Sequence, residues 1–278
     1  MLKKTLAAAL ACAVLAGAAS CSTQPAGNGG GTSNQGGAHP PQSNQNPQKE
    51  ELEEALGMDL SEYEYVDIAH LQEADMPADP ALQLPQSDFF GRIGMEGGLH
   101  NLEVISYCVH TGTHMDAPYH VIEEAGGVDT VDPTILIGPA CVIRLDVIGS
   151  YGITVDDVKA WEEEHGEIQP GEAVLFDTKQ DSLWKEDPQE YITNYPYLLP
   201  ETAQYLVDQG VRYVGCEAIS PDTDTTESHK ILLGNGVGVV ENVCNLSDIP
   251  VDRCYTIGTF PNSQGSTGVW VRILAFYR

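Results

Sequence analysis

The sequence predicts an α/β domain with a mixed sheet around a small barrel-like core. Two observations predict it. Strand-like apolar runs outnumber helix-like ones by more than two to one. They also fail to alternate with helices one for one, as a doubly wound parallel sheet requires. Length sets the scale, because Glu51 to Arg278 is enough chain for one domain with a sizeable core. No internal repeat divides it.

In chain order, Tyr65 to Leu71 (YVDIAHL) reads as a short strand, and a polar, Pro-containing loop follows through Gln86. Leu99 to Val109 alternates loosely and is expected to be the strand that delivers His110. Cys141 to Ile148 (CVIRLDVI) is another strand. Thr154 offers an N-cap, with Asp156 and Asp157 in the first turn, for a helix reaching Glu164. Its apolar residues Val155, Val158 and Trp161 share one face. Ala173 to Thr178 is a strand. A helix begins at Pro200 or Glu201 and stops at Gly210, and Val211 to Cys216 follows as a strand. Val237 to Val243, Tyr255 to Phe260 and Val269 to Tyr277 complete the expected strands.

The first fifty residues read as address and tether. Lys3 and Lys4 precede the apolar run Thr5 to Gly17, and Ala18, Ala19 and Ser20 lead to Cys21. This is the pattern of a secretory signal peptide over residues 1–20, too short and wrongly flanked for a membrane-spanning helix. Small residues directly before a Cys resemble the bacterial lipobox, although Ala18 stands where Leu is usual. Cys21 is then the expected lipid attachment point of an exported, membrane-anchored lipoprotein. Residues 21–50 are rich in Gly, Gln, Asn, Pro and Ser, a composition that cannot bury a core and is expected to be a disordered linker.

Formal net charge is -28, and removal of Lys3 and Lys4 takes it to -30 (-28 - 2). Such a surface repels phosphate backbones, which argues against nucleic acid as a partner, and it attracts cations. Of 7 Cys, none forms a CxxC pair, so neither a zinc ribbon nor a redox motif is indicated. Cys108, Cys141, Cys216 and Cys254 sit in apolar runs where a buried thiol is expected, with one disulfide left possible.

The chemistry is concentrated in HTGTHMDAPYH, His110 to His120. It holds three of the chain's 8 His together with Asp116. Imidazole nitrogens and a carboxylate form a ligand set for zinc or manganese. Such a metal polarises carbonyls and lowers the pKa of bound water to about 7. Gly112 and Pro118 argue against a helix, so the motif is expected where a strand ends in a loop. Further candidates lie between Ser220 and Val243. His229 follows a loop rich in Asp and Thr, and Glu241 ends the apolar run VGVV, where a lone carboxylate needs a reason to be. Two metals bridged by Asp116, with His229 and Glu241 on the second, would neutralise all these groups.

The eleven-residue motif resembles the HxGTHxDxPxH signature of the cyclase-like metal hydrolases, the family of bacterial kynurenine formamidase and isatin hydrolase. The likeness continues through YVDIAHLQEADMP, LFDTKQDSLW, GVRYVGCEAISPD, SHKILLGNGVGVVENVCNL and FPNSQGSTGVWVRILAFY, covering Tyr65 to Arg278. It implies the swivelling β/β/α fold, usually a homodimer or homotetramer. It implies that His110, His114 and Asp116 bind a first metal, and that Asp116 bridges to a second held by His229 and Glu241. His120 takes the place of a non-ligand catalytic histidine. The separation 241 - 229 = 12 agrees with the formamidase pattern. Isatin hydrolases carry Gln at the last position and work with one manganese, so Glu241 favours a two-metal, formamidase-like site, with zinc expected in both positions and manganese as the alternative metal. Two positions depart from the family. Pro77, Ala78, Asp79 and Pro80 replace an aromatic-rich stretch, and Glu217 stands where Asp is common.

The expectation is a metal-dependent hydrolase of a small-molecule carbonyl substrate, an amide in the manner of an arylformamidase. Metal-bound hydroxide attacks, the second metal stabilises the oxyanion, and His120 moves the proton. The alternatives are an isatin- or lactone-hydrolysing member of the same family, or a surface lipoprotein that keeps the cage for a ligand without catalysis.

Overall fold

The computed structural model describes residues 62–94 and 97–278. The signal peptide, Cys21 and linker expectations lie outside the described residues. Among those described, no helix is long and apolar enough to cross a membrane.

The chain forms β1 (Glu64–Asp67), β2 (Gln86–Gly91), β3 (Leu102–Ser106), β4 (His114–Asp116), β5 (Gly138–Arg144) and β6 (Tyr151–Ile153). Helix α1 (Val155–His165) leads to β7 (Ala173–Asp177), then α2 (Leu183–Glu186), α3 (Pro188–Thr193), β8 (Pro196–Leu198) and α4 (Pro200–Asp208). Strand β9 (Tyr213–Cys216), α5 (Glu227–Gly234), β10 (Gly238–Glu241), β11 (Arg253–Thr259), β12 (Gly268–Trp270) and β13 (Arg272–Tyr277) complete it.

Nine strands make one mixed sheet in the order β1-β13-β11-β5-β7-β9-β10-β4-β12. Its centre, β5-β7-β9-β10, is parallel. Its flanks are antiparallel. Parallel neighbours need crossovers, and α1, α4 and α5 supply them on one face. Period-two alternation divides the central strands between two cores. Cys141, Ile143, Val174 and Phe176 pack toward the helices with Val158, Leu206 and Leu232. Ala140, Val142, Ala173 and Leu175 face the other way, onto Met115, Leu136, Tyr213, Ile273 and Ala275. Burial on both faces is why these strands read as unbroken apolar runs.

Only Val271 separates β12 from β13, yet these strands lie toward opposite ends of the sheet. The sheet therefore curls into a half-barrel. The Val271 amide donates to Thr113 O at 3.2 Å, and Cys244 N donates to Ile68 O at 3.1 Å, drawing the two ends together. The mixed α/β sheet around a barrel-like core is as the sequence predicts.

Helix α1 begins in a capping box, in which Thr154 Oγ1 accepts from Asp157 N at 3.1 Å and Asp157 Oδ2 accepts from Thr154 N at 2.8 Å. It buries Val158 and Trp161, and ends before Gly166 at φ 86°. Helix α4 starts on Pro200, as its sequence suggests.

Two expectations need correction. The strand expected over Leu99 to Val109 is shorter, and it pairs with β2 in a separate hairpin instead of joining the main sheet. Apolar residues on both faces of that hairpin stay exposed, including Phe90 at 69% and Val104 at 58%. The expected strand Val269 to Tyr277 is two strands broken at the corner residue Val271. The cysteines Cys108, Cys141, Cys216, Cys244 and Cys254 are all free. Cys141 and Cys254 lie on neighbouring strands but pack into different cores.

Candidate metal centre

The motif runs opposite to expectation. Loop residues His110 to Thr113 come first, and His114 to Asp116 are themselves strand β4, buried throughout between β10 and β12. A strand clamped on both edges holds its side chains more firmly than a loop can. His114 and Asp116 share a face, while Met115 points into the core.

Register supplies the second carboxylate. Glu241 pairs directly with His114 across β10 and β4, placing Glu241 Oε2 3.2 Å from His114 Nε2. The same His114 nitrogen lies 3.3 Å from Asp116 Oδ1. On the other strand edge Gly268 pairs with Asp116. A Cβ there would lie 2.8 Å from His110 Cε1, so only glycine leaves room for that ring. His110 then sits with Nδ1 2.9 Å from Asp116 Oδ1 and Nε2 2.9 Å from Thr267 Oγ1.

His229 arrives from α5. Asp222 accepts from the amides of Ser228 and His229 at 2.9 and 3.0 Å, and its Oδ2 meets His229 Nδ1 at 2.7 Å. The ring's other nitrogen is left 3.3 Å from Asp116 Oδ2 and 3.1 Å from Glu241 Oε1. Asp116 and Glu241 thus turn one oxygen each toward His114 and the other toward His229.

This donor set fits a divalent cation. His114 Nδ1 donates to Gly112 O at 2.8 Å, so in the neutral ring Nε2 carries the lone pair. That atom is buried with no hydrogen-bond partner and faces two carboxylate oxygens. Three mutually repelling lone pairs need a positive charge among them. Ligand atoms around a tetrahedral metal at about 2 Å stand about 3.3 Å apart, close to the separations here. The field says the same. Burial alone would lower the His114 imidazolium, but Asp116 and Glu241 reverse this and raise it to about 10. Burial likewise opposes the charged form of His229, yet Asp116, Asp222 and Glu241 push it to about 12. Burial would lift Asp116, yet the surrounding imidazoles hold it well below the usual carboxylate range.

His120 is exposed on the turn Pro118–His120, its ring centre 3.9 Å from that of His110 and 5.6 Å from that of His229. Although the residue reaches solvent, the part of its ring withdrawn from water against the site, together with His110 and His229, lowers its pKa against the pull of Asp116 and Glu241. The imidazole is therefore neutral at neutral pH. It opens on a cavity of about 290 Å³ lined by Pro77, Ala78, Leu82, Tyr195, Ile219 and Ser220 above His229 and Glu241. All six residues singled out in the sequence come together here.

Sequence reasoning missed the supports. Asn242, at φ 55°, donates from Nδ2 to Gly112 O at 3.0 Å, and its own carbonyl accepts from Thr113 Oγ1 at 2.5 Å. It ties the loop before His114 to the end of β10. Asp222 was hidden in an acidic loop, and Gly268 carried no local signal. Glu217 lies elsewhere, buried, with Oε2 accepting from Thr178 N, Thr178 Oγ1 and Gln180 N.

Fold and site together define a protein of the metal-hydrolase class, a curled mixed sheet presenting a His/Asp/Glu centre beneath a small-molecule cavity. The chain belongs to the cyclase family: the family described as "Putative cyclase" matches residues 59–223. It is 28% identical to an isatin hydrolase of Roseibium aggregatum over 186 residues, 60% of this chain and 71% of that protein. It is 30% identical to a kynurenine formamidase of Bacillus cereus over 151 residues, 53% of this chain and 67% of that protein. An isatin hydrolase crystallised with the product analogue thioisatinate shares the fold, with a TM-score of 0.73 at 24% identity over 82% of this chain and 98% of that one.

Proposed function

We propose that this protein hydrolyses the C–N bond of a small amide, in the manner of the kynurenine formamidases to which it is similar. The observation that carries the reading is the convergence of His114 and His229 on Asp116 and Glu241, directly beneath a cavity that His120 lines. In the proposed assignment His110, His114 and Asp116 would hold one divalent metal and Asp116, His229 and Glu241 a second, both zinc, with manganese as the alternative. The two-sided use of both carboxylates supports two positions. A bound divalent metal supplies Lewis acidity toward a carbonyl oxygen and lowers the pKa of its water to about 7.

The chain's own residues do the rest. Asp222 and Gly112 O fix the tautomers of His229 and His114, so that each aims a lone pair inward. His120, neutral and facing the cavity, takes the proton released as water adds to the carbonyl and returns it to the leaving nitrogen. An amide nitrogen is too basic to depart as an anion. The cavity is of the size that small-molecule sites have, roughly 300 Å³ and above.

An isatin- or lactone-directed activity is the second reading, favoured by Pro77, Ala78 and Asp79 lining the cavity where an aromatic platform for an arylamide is expected. The proposed oligomer, a homodimer or homotetramer, is supported by the exposed apolar hairpin β2–β3. The proposed address, an exported lipoprotein anchored at Cys21, predicts that Cys21→Ser moves the protein out of the membrane fraction with activity intact. Persistent membrane association would sink it.

Metal analysis of purified protein, with hydrolysis of formylkynurenine, isatin and simple lactones, tests the activity. Turnover of formylkynurenine with close to two metals per chain is expected. A metal-loaded protein that hydrolyses none of the panel would leave the non-catalytic binding lipoprotein as the better reading.

A further inference from the structure

Tyr195 lies between α3 and β8 and lines the cavity beside His120, His229 and Glu241. It is half-buried, yet its hydroxyl makes no hydrogen bond to any described residue. Some tyrosine hydroxyls here are paired within the protein, Tyr191 donating to Glu217 O and Asn242 Oδ1, Tyr205 to Glu162 and Tyr151 to Asp157, whereas Tyr213 is buried in the core without a partner among the described residues. A phenol that lines a cavity without such a partner is free to meet a polar group that enters it.

The backbone carrying Tyr195 is fixed on both sides. Asn194 N donates to Glu190 O at 2.9 Å, its Nδ2 to Glu190 Oε1 at 2.5 Å, and its Oδ1 accepts from Ser150 N at 2.7 Å. Its carbonyl accepts from the buried Gln180 Nε2 at 3.0 Å, and Gln180 Oε1 accepts from Gly149 N at 3.0 Å. On the far side Pro196 locks its own φ and opens β8, which pairs with β6. This mount fixes the backbone from which the side chain projects, and the hydroxyl has no partner among the described residues.

We propose that Tyr195 is a catalytic residue of this site, its hydroxyl donating a hydrogen bond to the substrate oxygen that gains negative charge as water adds to the carbonyl. The proposal rests on the hydrolase reading above. Burial, with Glu241 second, pushes the phenol up to about 12, so the group keeps its proton and acts as a donor at neutral pH. A donor fixed in advance beside developing charge stabilises the transition state more than the ground state.

The test compares metal-loaded, full-length wild type with Tyr195→Phe on whichever panel substrate the wild type turns over fastest. The expected result is a kcat lower by roughly 10²–10³, KM within about threefold, and unchanged metal content and Tm. An unchanged kcat, a rise in KM alone, or a loss of metal parallel to the loss of rate would overturn it. Phenylphosphonate, a non-reacting tetrahedral anion, gives a readout free of turnover: calorimetry should find it bound at least about tenfold more weakly by Tyr195→Phe, as expected for loss of one hydrogen bond to a charged group. Equal binding to both proteins, or none to the wild type, overturns the assignment. If the wild type hydrolyses nothing in the panel, the hydrolase reading fails by itself, and the phosphonate comparison still decides the role of Tyr195.

Discussion

His114 and His120 lie six residues apart and meet the same site in opposite states. His114 is sealed in a strand against two carboxylates, whereas His120 is exposed and held neutral. His114→Asn should therefore lose metal and activity together. His120→Asn should keep its metal and lose roughly two to four decades of rate, the usual size of a general acid/base contribution. The loss should shrink for an activated aryl ester, whose leaving group needs no proton. Equal metal loss in both variants would make His120 a ligand. Glu217 offers a separate test, since its carboxyl bonds Thr178 and Gln180 and none of the proposed ligands. Burial first, then Asp181 and Asp177, raise its carboxyl from 4.5 to about 8. Across that window the folded protein keeps a proton that the unfolded chain has released, so stability falls as pH rises. Glu217→Gln preserves the acceptor that Thr178 and Gln180 use, and removes the ionisation. Its Tm should fall less than that of the wild type between pH 5 and pH 9, and parallel curves would show that Glu217 ionises freely.

Among the elements, α5 and the β10-β4-β12 ladder do most to build the centre. Asp222 both caps α5 and orients His229, so Asp222→Ala should weaken metal binding by roughly 10–100-fold, the usual effect of removing the partner behind a ligating histidine. Thr154→Ala, which removes the α1 cap, should cost about 1 kcal/mol of stability and leave metal binding alone. Metal titration followed by denaturant unfolding separates the two. The ligand residues were legible in the sequence because His and Asp side chains packed two and four apart are conspicuous in any backbone. Glu241 was legible because a carboxylate ending an apolar strand needs a partner. The central strands were legible through their unbroken apolar runs. Register was not: nothing local says that Glu241 pairs with His114 or Gly268 with Asp116, since both depend on strands distant in sequence. The β2–β3 hairpin escaped because its apolar residues face solvent, which defeats a reading that equates apolar alternation with a core strand. Asp222 escaped because its partners are amides and a ring six and seven residues on, with no capping pattern between them.

At the scale of the molecule, a chain of formal net charge -28 carries a centre that itself concentrates carboxylates. Both draw divalent cations inward and repel anions, which places the burden of substrate recognition on the cavity walls and not on long-range attraction. The curled sheet also has a consequence in time. His110 meets Thr267 across 157 residues, and β4 gains its second neighbour only when β12 is in place. Although every proposed ligand has been synthesised by Glu241, a growing chain cannot hold the centre shut until Thr267 and β12 have emerged. Metal capture is then a late event, coupled to the arrival of β12. A chain ending after Pro261 keeps all six site residues, yet it should bind zinc far more weakly than the full chain in equilibrium dialysis. Undiminished affinity would mean that the centre matures before its last strands do.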